Sequence, residues 1–179
     1  MEKTIYLDID LCVGCGACVV ACMDQNDIYP ERYQPAFRRI YRIEEGEYPD
    51  ASIQYIPAAC MHCEDSPCAM GCPTGAITKD EKTGAVMVNQ ELCIGCHSCA
   101  LACPFGAPRY DLDEKMQKCN LCIERVEADL EPACVRVCPT GALQFESANK
   151  IQEIKESKFV GNIVNAVHRA ATGILKGFH

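Results

Sequence analysis

Sixteen cysteines in a chain of 179 residues constrain the fold more than anything else in it. They form four groups of four: Cys12, Cys15, Cys18 and Cys22; Cys60, Cys63, Cys68 and Cys72; Cys93, Cys96, Cys99 and Cys103; Cys119, Cys122, Cys134 and Cys138. Groups one and three read C-x2-C-x2-C-x3-C, group two reads C-x2-C-x4-C-x3-C, and group four reads C-x2-C-x11-C-x3-C. Proline follows the last cysteine of groups two, three and four, at Pro73, Pro104 and Pro139, whereas Met23 follows Cys22.

Three chemistries compete for such a pattern. A disulfide scaffold needs an oxidising compartment, and the N-terminal residues Met1 to Leu7 lack a basic region, an apolar core and a twin arginine. The expectation is therefore a cytoplasmic chain with no export signal of its own. Structural zinc uses paired C-x2-C ligands and has no need of a third cysteine three residues on. The iron–sulfur reading uses every cysteine. Ligands at i, i+3 and i+6 wrap one cubane, small residues such as Gly14, Gly16, Gly95 and Ser98 let the backbone approach it, and in two-cluster ferredoxins the fourth cysteine serves the neighbouring cluster. Sixteen ligands make four [4Fe–4S] clusters.

Charge excludes other roles. Seventeen Lys and Arg stand against 25 Asp and Glu, a net −8, and four oxidised clusters with their thiolates take the loaded protein to roughly −16. Such a chain repels nucleic acid and favours an electropositive partner surface. The absence of an apolar run of membrane-spanning length predicts no membrane span. With no Trp and only 7% aromatic residues, the clusters take the place of a conventional core, and the apo chain is expected to fold poorly.

The chain repeats itself out of order. Leu7-Asp8-Ile9-Asp10-Leu11-Cys12-Val13-Gly14-Cys15 resembles Val88-Asn89-Gln90-Glu91-Leu92-Cys93-Ile94-Gly95-Cys96, and Cys72-Pro73-Thr74-Gly75-Ala76-Ile77 resembles Cys138-Pro139-Thr140-Gly141-Ala142-Leu143. A hairpin between Ile77 and Val88, turning at Gly84, joins group two to group three. If like pairs with like, the strand after group four, 142–146, lies beside the strand before group one, 3–9. The expected fold is α+β: two bacterial-ferredoxin-like units with two clusters each, one inserted in the other, plus a C-terminal amphipathic helix. Residues 1–36 and 111–150 form the split unit, 37–59 a β-hairpin connector that packs over the clusters, 60–110 the inserted unit, and 151–179 a docking helix.

Side chains near the clusters receive ordinary readings. Lys115, Lys118, Arg125 and Arg136 flank group four and read as solvated charge, although nearby cations would raise a cluster's potential. His62 and His97 read as exposed loop histidines. Ile123 to Ala133 read as a short exposed helix and loop. In the tail, Val160, Ile163, Val164, Val167, Ala171, Ile174, Leu175 and Phe178 recur at helical spacing behind a possible cap at Ser157. This face fits docking on a partner subunit or on the chain's own body better than a membrane surface.

The four groups, the long gap inside group four, and the runs Cys93-Ile94-Gly95-Cys96 to Cys103-Pro104-Phe105-Gly106-Ala107-Pro108-Arg109-Tyr110, Phe37-Arg38-Arg39-Ile40-Tyr41 and Cys63-Glu64-Asp65-Ser66-Pro67-Cys68 resemble the iron–sulfur subunits of the dimethyl sulfoxide reductase type. The resemblance covers residues 3 to about 147. It implies a non-catalytic electron-transfer subunit between a catalytic molybdenum- or tungsten-pterin subunit and a second electron donor or acceptor. Similar subunits serve tungsten aldehyde oxidoreductases, carbon monoxide dehydrogenases and hydrogenases. It also implies the ligand sets: Cys12, Cys15, Cys18 and Cys138 for one cluster; Cys22, Cys119, Cys122 and Cys134 for the next; Cys60, Cys63, Cys68 and Cys103 for the third; Cys72, Cys93, Cys96 and Cys99 for the fourth. A free polyferredoxin carrier and a structural zinc module are the rival readings.

Overall fold

A computed structural model describes residues 3–176, with side chains up to His168. The architecture is mixed α+β, built from short elements. The chain divides into two compact units, Met1–Phe145 and Glu146–His179.

In the first unit, β1 (Lys3–Leu7) leads into the first cysteine loop and α1 (Ala17–Gln25). Strands β2 (Arg39–Glu45) and β3 (Ser52–Ala58) follow as an antiparallel hairpin, with Arg39 opposite Ala58 and Glu45 opposite Ser52. Then come α2 (Pro67–Met70), the hairpin β4 (Ile77–Lys79) and β5 (Val86–Val88), and α3 (Ser98–Ala102). The register Ile77↔Val88 and Lys79↔Val86 closes on a turn where Asp80 accepts from the Thr83 N–H (2.8 Å) and hydroxyl (2.6 Å). A two-residue pair, β6 (Arg109–Tyr110) and β7 (Met116–Gln117), precedes α4 (Ile123–Glu127), α5 (Ala133–Arg136) and β8 (Leu143–Ser147). Strands this short give no readable periodicity, and β6–β7 was not expected from sequence.

Strand β8 pairs with β1, across the whole intervening chain. The internal repeat extends to single hydrogen bonds. The Asp8 N–H donates to the Ala142 carbonyl at 2.8 Å, and the Asn89 N–H donates to the Ala76 carbonyl at 2.8 Å. Asp8 Oδ1 accepts from Asp10 N–H as Asn89 Oδ1 accepts from Glu91 N–H. Helix packing repeats as well, α1 on α5 and α2 on α3.

Two apolar clusters result. One gathers Cys18, Leu121, Cys134, Val135, Leu143 and Phe145, with Ile5 and Leu7 against it. The other gathers Ile77, Val86, Cys99 and Met116, with Cys68, Cys72 and Cys93 against it. Thiols take places that larger apolar side chains fill elsewhere.

The second unit is dominated by α6 (Ala148–Lys176). It starts nine residues before Ser157, because the Ser147 hydroxyl accepts from the Lys150 N–H (3.4 Å) and supplies the cap; Ser157 lies inside the helix. Val160, Ile163, Val164 and Val167 are exposed. The side chains of Ala171, Ile174, Leu175 and Phe178 lie outside the described residues.

Candidate metal centres

Each cysteine group opens with a C-x2-C loop whose second intervening residue is left-handed: Gly14 (φ +67°), His62 (+46°), Gly95 (+68°) and Leu121 (+60°). Such turns present backbone N–H groups to a common concave side, where anionic sulfur is stabilised. The His62 N–H lies 3.5 Å from Cys60 Sγ, Ala107 N–H 3.4 Å from Cys103 Sγ, and Met116 N–H 3.4 Å from Cys93 Sγ. Space beside Gly14 and Gly95 is tight. A Cβ would stand 2.6 Å from Tyr55 Cγ at the first and 2.9 Å from the Glu114 carbonyl oxygen at the second.

The groups interlock. Cys72 joins Cys93, Cys96 and Cys99 around an open cage that also includes Ile77, Tyr110 and Met116. Cys138 joins Cys12, Cys15 and Cys18 around a second such cage. In both, three cysteines of one group meet the last cysteine of another. Cys22 has Cys119, Cys134 and Cys122 for electrostatic neighbours, and Cys68 has Cys60 and Cys103. Electrostatic influence also runs between groups, from Cys134 to Cys18 and from Cys60 to Cys119.

The donor chemistry fits iron–sulfur clusters. Burial pushes the Cys22 thiol up to about 12, and the nearby Cys119, Cys134 and Cys122 push the same way. Burial likewise takes Cys119 to about 12. For so many buried thiols to ionise, a cationic core must sit among them. Among the described residues no three His, Cys, Asp or Glu side chains close on a single-ion point; the cysteines stand around open cages instead. At Cys72 and Cys138 burial also acts upward. Bonds from Thr74, Ala76 and Ile77 in one case, and from Leu143, Thr140 and Ala142 in the other, outweigh it and hold both thiols below their usual range.

Charged side chains enter this interior. Arg38 is only 4% exposed and its Nη1 donates to the Pro57 carbonyl at 2.7 Å. Burial opposes its charge, but Cys134, Cys119, Cys18 and Cys22 outweigh that and hold the guanidinium above its ordinary value. Lys118, read from sequence as solvated, is buried, with Nζ donating to the Val86 and Cys119 carbonyls. His62, read as an exposed loop residue, is buried too. Burial, with Lys118, Arg38 and Lys79 nearby, lowers it to about 3 and keeps it neutral. Hydrogen bonds hold both inside: the Val86 N–H donates to His62 Nδ1 at 2.9 Å, and Lys118 meets the carbonyls of Val86 and Cys119. His97 is exposed as expected and stacks on Tyr110 at 3.9 Å. Tyr110 Oη in turn lies 3.1 Å from Cys99 Sγ.

Comparison with known proteins agrees with this chemistry. Residues 51–148 and residues 11–76 each match a family described as 4Fe-4S dicluster domain. A sulfite dehydrogenase subunit of Allochromatium vinosum is 39% identical over 163 residues, which cover 80% of this chain and 68% of that protein. A polypeptide of the anaerobic dimethyl sulfoxide reductase of Escherichia coli is 38% identical over 157 residues, covering 83% and 75%. The chain belongs to the iron–sulfur subunits of the dimethyl sulfoxide reductase type. A further relative is the iron–sulfur subunit of the nitrate-inducible formate dehydrogenase of E. coli, 35% identical over 172 residues, covering 88% and 58%. Members of this family transfer electrons within enzyme complexes and are not catalytic alone. Two dicluster domains imply four [4Fe–4S] clusters, and sixteen cysteines fit them. No described helix is long and apolar enough to cross a membrane.

Proposed function

We propose that this chain is a four-cluster electron relay joining a catalytic molybdenum- or tungsten-pterin subunit to a second redox partner. Each [4Fe–4S] cluster, when bound, takes up and releases one electron at a potential set by its surroundings. In this reading Cys12, Cys15, Cys18 and Cys138 hold the first, Cys22, Cys119, Cys122 and Cys134 the second, Cys60, Cys63, Cys68 and Cys103 the third, and Cys72, Cys93, Cys96 and Cys99 the fourth. The two ferredoxin-like units are nested: residues 1–36 and 111–150 form the outer one and residues 60–110 the inserted one, with 37–59 as a connecting hairpin. The observation that carries this is the meeting of Cys138 with Cys12, Cys15 and Cys18 in one cage, beside the paired strands β1 and β8. The exposed apolar stripe from Val160 to Val167 supports a fixed partner, because a freely diffusing carrier has no use for it.

Within the relay the protein's own groups position and tune. The left-handed loops hold N–H groups toward sulfur, Arg38 places a positive charge beside the first and second sets, and Lys118 does so near the second and third. Anaerobic iron and sulfide analysis should give about sixteen of each per chain, four per cubane. A value near eight, or zinc in place of iron, overturns the four-cluster reading. Purification of the native complex should yield a pterin-containing catalytic chain in constant ratio to this one.

A further inference from the structure

His62 stands where a cysteine loop of the inserted segment reaches a ligand of the outer one. It lies between Cys60 and Cys63, is buried, and takes a left-handed backbone conformation (φ +46°) that turns its ring inward. The Val86 N–H donates to its Nδ1 at 2.9 Å. That bond assigns the tautomer: with Nδ1 accepting, the imidazole proton resides on Nε2. Nε2 lies 3.5 Å from Cys119 Sγ, within range for an N–H···S bond. The same histidine's backbone N–H is 3.5 Å from Cys60 Sγ. One residue therefore faces sulfurs assigned to two different clusters, by its ring and by its main chain.

We propose that His62 sets the potential of the cluster held through Cys119, at the crossing from one ferredoxin-like unit to the other. This rests on the ligand sets proposed above. The physical reason is that an N–H donor aimed at a ligand sulfur stabilises the more negative, reduced state and raises the potential. The bond comes from a side chain with no freedom to turn away, because the Val86 N–H pins the far side of the ring and Lys118 donates to the Val86 carbonyl. Electrons passing between the units encounter this cluster on one side of His62 and the Cys60 cluster on the other. Raising the potential of one of them fixes how downhill the crossing is. His62 is thus a positioning and tuning residue, not a ligand.

The test uses the full chain, loaded anaerobically, and redox titration followed by electron paramagnetic resonance. His62→Leu should lower the reduction equilibrium constant of one cluster about tenfold, ~59 mV for a one-electron couple, leaving the other three unchanged. His62→Gln, which keeps a donor of similar reach, should recover most of that shift. Unchanged midpoints in His62→Leu, or an equal shift of all four, overturn the proposal. If His62→Leu does not load, native protein carrying histidine labelled with 15N in the imidazole ring alone decides: electron spin-echo spectra of one reduced cluster should show a 15N coupling that disappears in His62→Gln. A spectrum without that coupling, or one that His62→Gln leaves intact, overturns the proposal equally. Iron analysis separates the two levels. About eight irons in the native chain, or zinc in their place, rejects the four-cluster relay, whereas about sixteen irons with no histidine effect rejects only the role of His62.

Discussion

Arg38 offers the sharpest quantitative handle on how the relay is tuned. Its guanidinium is 4% exposed, is fixed by the Pro57 carbonyl at 2.7 Å, and has Cys134, Cys119, Cys18 and Cys22 for neighbours. These belong to the two cysteine sets assigned to the outer unit. Replacing it by glutamine removes one buried positive charge while leaving a polar side chain. At an effective dielectric of about 20, a unit charge about 6 Å from a reducible centre is worth roughly 2–3 kcal/mol. At 59 mV per factor of ten that is on the order of 100 mV. Solvent ions screen this little, because the charge is enclosed. Arg38→Gln should therefore lower the midpoints of two clusters by about that amount and leave the other two in place, read by potentiometric titration with electron paramagnetic resonance. Arg38→Lys, which keeps the charge, should recover most of the loss. If all four midpoints hold, or all four fall together in Arg38→Gln, the assignment of Arg38 to the outer pair of clusters is wrong.

Other expectations follow from the same geometry. Gly95→Ala should strip the cluster assigned to Cys72, Cys93, Cys96 and Cys99, because its Cβ meets the backbone oxygen of Glu114 at 2.9 Å. Gly14→Ala should be milder, since the Tyr55 ring it meets can swing aside; visible absorbance and iron content distinguish the two. Met116→Ala, at a 1% exposed core position, should cost about 2–5 kcal/mol, seen as earlier bleaching of cluster absorbance on thermal unfolding. Val160→Glu with Val164→Glu should leave iron content unchanged and weaken recovery of the partner subunit; full recovery would remove the docking role of α6. Removing iron with a chelator under reducing conditions should abolish the native fold, read by circular dichroism, because the thiols that fill the core would then lose their shared cation.

The sequence spoke most clearly where chemistry fixes spacing. Four cysteine runs announce cubanes because i, i+3 and i+6 ligation leaves little freedom. The likeness of Leu7–Cys15 to Val88–Cys96 leads directly to the β1–β8 pair and the matching Asp8 and Asn89 bonds. The interior polar side chains were misread for a physical reason. His62 and Lys118 lie in short polar loops, where burial is normally unfavourable, and here hydrogen bonds offset it, from the Val86 N–H and toward Cys119 for His62, and to the Val86 and Cys119 carbonyls for Lys118. The one local hint was adjacency: His62 stands between two ligands and Lys118 directly precedes Cys119. Arg38 stood in a run read as part of the connector hairpin and noted for family resemblance, and no periodicity marks it as buried. The start of α6 was missed because β8 passes into the helix at Ser147 without a glycine or proline to mark the joint.

The arrangement of ligands is the central claim, and an anaerobic crystal structure phased on iron tests it most directly. Four separate groups of four iron atoms per chain are expected, with Cys138 Sγ bound to the same cubane as Cys12, Cys15 and Cys18. Finding Cys138 on the cubane of Cys119, Cys122 and Cys134, or on that of Cys60, Cys63 and Cys68, would contradict it.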